Sequence, residues 1–148
     1  RPLVEAWRPC ESVWRGITYT LDDADLPLGE GVVRLTEAHR ELADAYHEGM
    51  DLAPHPIWAI VCGDRIVATC GSARENATAA EAYVWVEPDQ RCRGHGRRVV
   101  AAWAHDVVRR GKVAVYTHGL DNVASRALIR GLAAQRAFAC AGYESQEE

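Results

Sequence analysis

Apolar residues fall in short segments along the chain, and their period changes from one segment to the next. Alternation, with many β-branched and aromatic side chains, predicts strands at 14–20, 32–35, 57–62, 65–72, 81–87, 112–117 and 136–143. Helical spacing predicts three helices. The first covers 36–48, with Thr36 as its N-cap, Leu42, Ala43, Tyr46 and Met50 toward one side, and Pro54 and Pro56 ending it. The second follows the glycines at 94 and 96 and runs to about 110, with Val99, Val100, Trp103, Ala104, Val107 and Val108 as its stripe and Gly111 as its close. The third runs from Val123 to about Ala134. Gly63-Asp64 reads as a two-residue hairpin turn, and 74–80 as a polar loop. Segment 81–117 is then strand, helix, strand, for which a parallel pair with a right-handed crossover is the default. The order of elements predicts an α+β chain with a mixed sheet.

The 148 residues suit one domain spanning 1–148, and 48% hydrophobic with 26% charged positions exclude a disordered or collagen-like chain. The apolar runs are too short to span a bilayer. The five cysteines are scattered without a C-x-x-C pair and the six histidines lack metal-ligand spacing, so neither a disulfide framework nor a metal site is expected. Such isolated thiols read as small core residues in a cytoplasmic protein. Residues 1–30 carry the least pattern; the chain opens on Arg1, which leaves room for residues ahead of it, and no signal core follows.

The net charge of −4 averages two unlike halves. Residues 1–74 hold twelve acids against seven arginines, whereas 75–148 hold ten bases against nine acids. Seven bases fall within 90–112, opposed only by Asp106. A basic segment this local predicts an anion site and not a nucleic-acid coat. It surrounds Gly94-His95-Gly96, between a strand and a helix, where unpaired amides and the helix dipole favour a phosphate. A P-loop would need a lysine at the helix start, and the only lysine is Lys112. A dinucleotide fingerprint would need its third glycine at Val99 and its first directly after the strand, yet seven residues separate Val86 from Gly94.

The remaining form, R-x-x-G-x-G, is Arg91-Cys92-Arg93-Gly94-His95-Gly96, preceded by a strand ending Val86-Glu87-Pro88. It resembles motif A of the GCN5-related N-acetyltransferase (GNAT) superfamily. Asn122 to Leu128 is similar to that family's N-x-x-S/A-x-x-L segment, and the hairpin 57–72 to its second and third strands. Three spaced motifs agree in order over about 56–143. The resemblance implies a mostly antiparallel mixed sheet with a central parallel pair, helices on both faces, and acetyl-CoA as co-substrate. It implies that Val84, Trp85 and Val86 offer backbone groups to the pantetheine arm, that Arg91, Cys92, Arg93, Gly94, His95, Gly96 and Arg97 surround the pyrophosphate, and that Asn122 and Ser125 meet the cofactor at the splayed strand ends.

The implied activity is acetyl transfer to the primary amine of a small molecule or peptide, with a CoA-binding sensor as the alternative. The amine must lose a proton before it attacks. Glu81 is the first candidate base and Glu87 the second; a backbone N–H around Val86 is the expected oxyanion donor. The family's tyrosine acid would stand at Ile129, so Tyr116, Tyr143 or Ser125 is expected in its place. His118 is either a substrate contact or a polar loop residue. The side chains of Cys92 and His95 are expected to face solvent. The acidic first half points to a cationic acceptor, with no nucleic acid or membrane partner and a homodimer left open.

Overall fold

A computed structural model describes residues 10–22, 29 and 31–145. Seven strands form one sheet: β1 (Cys10–Leu21), β2 (Val32–Arg34), β3 (Trp58–Cys62), β4 (Arg65–Glu75), β5 (Ala79–Val86), β6 (Val113–Gly119) and β7 (Ala134–Ser145). Their spatial order is β2-β3-β4-β5-β6-β1-β7. Every neighbouring pair is antiparallel except β5 and β6, which are parallel. Three helices accompany the sheet among the described residues: α1 (Arg40–Tyr46), α2 (His95–Arg109) and α3 (Val123–Arg130). None is long and apolar enough to cross a membrane.

Alternation along the strands makes two cores, one on each face. Val99, Val100, Trp103, Ala104 and Val107 of α2 are buried against Val67, Ala68, Ala80, Ala114 and Tyr116. On the opposite face, Leu42 and Tyr46 of α1 pack on Ala59 and Ile66. The expected mixed sheet with a parallel pair and helices on both faces is therefore what forms.

Four boundaries differ from the sequence reading. The first helix begins only at Arg40, after a 3-10 turn at Glu37–His39, and ends at Tyr46. The third ends at Arg130, because Gly131 caps it, and β7 starts directly after. The strand expected at 14–20 extends to Cys10 and lies between β6 and β7, antiparallel to both. The expected loop 74–80 is mostly strand. There the Asn76 carboxamide oxygen accepts from the amides of Thr78 and Ala79, each at 2.9 Å, and closes a tight turn between β4 and β5. The acidic stretch 23–28 lies outside the described residues.

That turn leaves Glu75 facing inward, its side chain 1% exposed. Its carboxylate accepts from Arg110, from Lys112 Nζ at 2.7 Å and from Ser72 at 2.9 Å, with His55 Nδ1 3.3 Å away. Ser72 also accepts from the Trp103 indole at 3.0 Å. Burial would raise the Glu75 carboxyl, but the donors outweigh it and hold the pKa at about 2. This cluster ties the β4–β5 hairpin to the end of α2 and the start of β6. Arg110 and Lys112 thus hold a carboxylate.

Candidate functional site

The parallel pairing is short: Ala79 faces Val113, Ala80 faces Ala114, Glu81 faces Val115, and there it stops. Beyond that vertex β5 stays with β4 as far as Val86, while β6 stays with β1 as far as Gly119. The two strands part and leave a wedge whose β5 side has no strand partner. The Glu87 amide donates to Val67 of β4 at 2.9 Å, so alternation turns Tyr83 and Trp85 toward β4 as well. The backbone groups of Ala82, Val84 and Val86 face the wedge. Val86 shows this directly, since its carbonyl accepts from Arg91 Nε at 3.2 Å.

The start of α2 closes the wide end of the wedge. Cys92 and Gly94 take positive φ, 61° and 79°, and Gly94 caps the helix with no side chain of its own. The first bond of the helix ladder runs from Arg98 N–H to the Gly94 carbonyl at 3.3 Å. The amides of His95, Gly96 and Arg97 precede it and have no helical acceptor. A Cβ at Gly96 would stand 2.7 Å from Leu128 Cδ1 and 3.5 Å from Val86 Cγ2, so a side chain there would have to displace the end of Leu128 where α2 meets α3 and β5. Arg91 and Arg93 are exposed beside the loop; Arg97, also exposed, lies across Gly131.

On the β6 side, Asn122 caps α3, its carboxamide oxygen accepting from the Ser125 amide at 3.0 Å. Tyr116, 2% exposed, donates to Ser125 Oγ at 3.1 Å. Burial pushes the Tyr116 phenol up, so it stays protonated at neutral pH. With the cap gone, an Asn122→Ala variant is expected to lose about 1 kcal/mol of stability. Urea melts of the two proteins measure it, and equal midpoints would show the cap to be idle.

The sequence model of the acetyltransferase (GNAT) family matches residues 18–133. The chain belongs to this family. No curated protein matches the sequence. Among solved structures, a GNAT-family protein from Novosphingobium aromaticivorans superposes with a TM-score of 0.71 at 18% identity, covering 90% of this chain and 65% of its own. An acetyltransferase of the GNAT family from Colwellia psychrerythraea gives 0.71 at 10% identity, with 98% of this chain and 61% of that one. A GCN5-related N-acetyltransferase from Kribbella flavida gives 0.65 at 20% identity, with 98% and 63%. These likenesses are of fold, and the chain spans less than two thirds of the length of each.

In this GNAT chain the motif residues gather around the wedge: the loop 91–97 at one end, Val84 and Val86 along one side, Asn122 and Ser125 on α3 next to β6. Trp85 stands apart from them. Its backbone is on the β4 side, opposite Thr69, and its ring lies under the Arg91 guanidinium, 5.3 Å from it. His95 departs from the expected solvent-facing placement, since its Nδ1 is buried without a hydrogen-bond partner. Burial, then Arg98 and Arg93, pushes that imidazole's pKa down and keeps it neutral. Cys92 is exposed as expected. His118 belongs to β6 and not to a loop: it is 3% exposed, stacks on Tyr19, and leaves Nε2 buried without a partner. Ile129, at the family's tyrosine position, is a 3% exposed core residue.

Glu81 on β5 and Glu87, the residue just after the end of that strand, share the sheet face opposite α2. Glu81 lines a cleft of about 480 Å³ with Trp14, Thr117 and Phe138. Arg74 holds its carboxylate, Nε at 2.7 Å and Nη2 at 2.5 Å. Glu87 lines a second cleft of about 590 Å³ beneath α1, with Tyr46, Tyr83 and Trp85. Sequence reasoning missed Arg74 and Glu75, because both sit where a loop was expected, and it missed the aromatic walls, because no motif carries them.

Proposed function

We propose that the chain is an acyltransferase that moves an acetyl group from acetyl-CoA to a primary amine of a small molecule or peptide. The observation that carries this reading is the parting of β5 and β6 beyond Glu81 and Val115, beside a helix start that has no side-chain cap and is flanked by arginines. The amides of His95, Gly96 and Arg97, with Arg91 and Arg93, suit a pyrophosphate. The wedge-facing groups of Val84 and Val86 suit an extended arm that pairs like an added strand. From Val86 back to Ala82 the strand rises about 13 Å. A pantetheine arm has about as many chain atoms as four residues and spans a similar length. Its reactive end then lies beside Glu81.

Acetyl-CoA, when bound, supplies an activated acyl carbonyl at that end. Glu81, oriented by Arg74, takes the proton that the acceptor ammonium must lose. As the C–N bond forms, the C–S bond breaks and the sulfur leaves as thiolate. The nitrogen sheds its second proton as the amide forms, and the Ser125 hydroxyl, held by the hydrogen bond from Tyr116, passes a proton to the sulfur and takes that one up in its place. A wedge-facing amide of Val84 or Val86 faces the charge growing on the carbonyl oxygen. The acidic first half of the chain favours a cationic acceptor.

Thiol release across aminoglycosides, polyamines, amino acids and peptides tests the reading, with calorimetry of CoA binding alongside. Glu81→Gln is expected to lower kcat about 100-fold at unchanged KM for acetyl-CoA. The buried Ile129 favours the second reading, a CoA-binding module without turnover. CoA binding with no thiol release from any amine, and no effect of Glu81→Gln, would establish that instead. No CoA binding overturns both.

A further inference from the structure

The larger cleft lies between α1, the 47–57 segment and the outer face of β4 and β5, and aromatic, acidic, imidazole and apolar side chains line it. Tyr46, Tyr83 and Trp85 are aromatic, the last two 63% and 42% exposed. Glu87 and Asp51 are acidic, and His47 and His55 are the basic side chains of the described lining, which holds no lysine or arginine. Aromatic faces attract cations through the ring quadrupole. Trp85 already does so, with the Arg91 guanidinium 5.3 Å from its centroid. Glu87 is half-buried at the far end of the strand and makes no ion pair among the described residues. Its charge is felt by the Tyr46 phenol, whose pKa is raised chiefly by burial and further by Glu87.

The two ends of the cleft differ. At one end Ser72 pairs with Ala82 and Gly71 with Tyr83, next to Glu81, where the thioester is placed above. At the other end Glu87 is four strand residues beyond Tyr83, about 13 Å at strand rise. Glu81 itself lines the neighbouring cleft, and Glu87 lies a molecule's length from Ala82 between aromatic walls. We infer that this cleft receives the acceptor and selects an amine carrying a second positive charge roughly 10–15 Å from the reacting nitrogen, held by Glu87 and the rings of Tyr83 and Trp85. The inference rests on the acyl-transfer reading for the identity of the reacting end.

Two amines isolate the second charge: 1,8-diaminooctane and n-octylamine have the same apolar body, and only the first carries it. Thiol release with each gives kcat/KM, and tryptophan fluorescence titration in the presence of CoA gives binding without turnover. The diamine is expected to be preferred at least tenfold in both. Glu87→Gln is expected to bring that ratio close to one, the loss falling on the diamine, and Glu87→Asp to restore part of it. Equal use of the two amines by the unaltered protein overturns the inference. So does a Glu87→Gln variant that loses both amines by the same factor, since Glu87 would then act at the reacting nitrogen or on the fold. If neither amine releases thiol, the transfer reading fails and the titration decides the cleft. Tighter diamine binding that is sensitive to Glu87→Gln supports the selection, and equal binding of the two amines sinks it.

Discussion

A Gly94→Val variant is expected to lose CoA binding by about 100-fold or more, an affinity loss of about 3 kcal/mol, while its helix content stays. Gly94 holds φ at 79°, a region that costs an L-residue about 1–2 kcal/mol and a β-branched one more. A Cβ there meets nothing within 4 Å, so the substitution does not clash with the fold. The strain is released by turning the backbone out of the left-handed region. That turn re-aims the amides of His95, Gly96 and Arg97, which the loop otherwise points together toward the wide end of the wedge. The loss therefore falls on the anion and not on the core. Titration calorimetry with CoA reads the first effect and circular dichroism the second. If the variant binds CoA as the parent does, the loop is not the phosphate site, and the proposed function loses its main support. Gly94→Ala is expected to lose less, because Ala tolerates the left-handed region better than Val.

The parts of this architecture that could be read from sequence are those where one residue type answers to one physical demand. The glycines at 94 and 96 are such a case: one takes positive φ, and at the other a Cβ would press on the end of Leu128. The α2 stripe was equally plain, since five of its six predicted residues are fully buried and Val108 packs beside them. The hairpin at Gly63-Asp64 formed as its turn chemistry required. What escaped was set by partners distant in the chain. Residues 74–80 are polar, and polar residues in a hairpin end look like a loop until the Asn76 turn and the Glu75 cluster are seen in three dimensions. The place of β1 between β6 and β7 depends on which edges the other strands leave open, and no local pattern encodes that. For the same reason the partner of Glu81 was illegible. Arg74 is seven residues away along the chain and adjacent across β4 and β5. The two clefts are made by strand alternation on a face to which five strands contribute, with the 46–57 segment lying over part of it.

Glu75→Gln is expected to destabilise the protein by about 3 kcal/mol at neutral pH and to lower Tm by about 10 °C. The carboxylate is 1% exposed and accepts from Arg110, Lys112 and Ser72, so a neutral amide leaves Lys112 without its counter-charge and Arg110 with Asp106 alone beside a buried site. The pH dependence follows from the direction of the shift. Glu75 is held at about 2 in the folded chain against an ordinary 4.5. A carboxyl whose folded pKa is depressed stabilises the fold at pH values above its unfolded pKa. That contribution declines as pH falls below about 4.5 and is gone once pH passes through about 2. Urea unfolding of the two proteins at pH 7, 5, 4 and 3 should therefore show a gap that is constant down to about 5 and then narrows. A gap of the same size at pH 3 as at pH 7 would mean that the cost comes from packing and not from charge. Because the cluster joins the β4–β5 turn to Arg110 and to Lys112 at the start of β6, it also sets where the parallel strands meet. The variant is accordingly expected to bind CoA more weakly as well, since the vertex at Glu81 and Val115 lies only a few residues beyond the lost contacts.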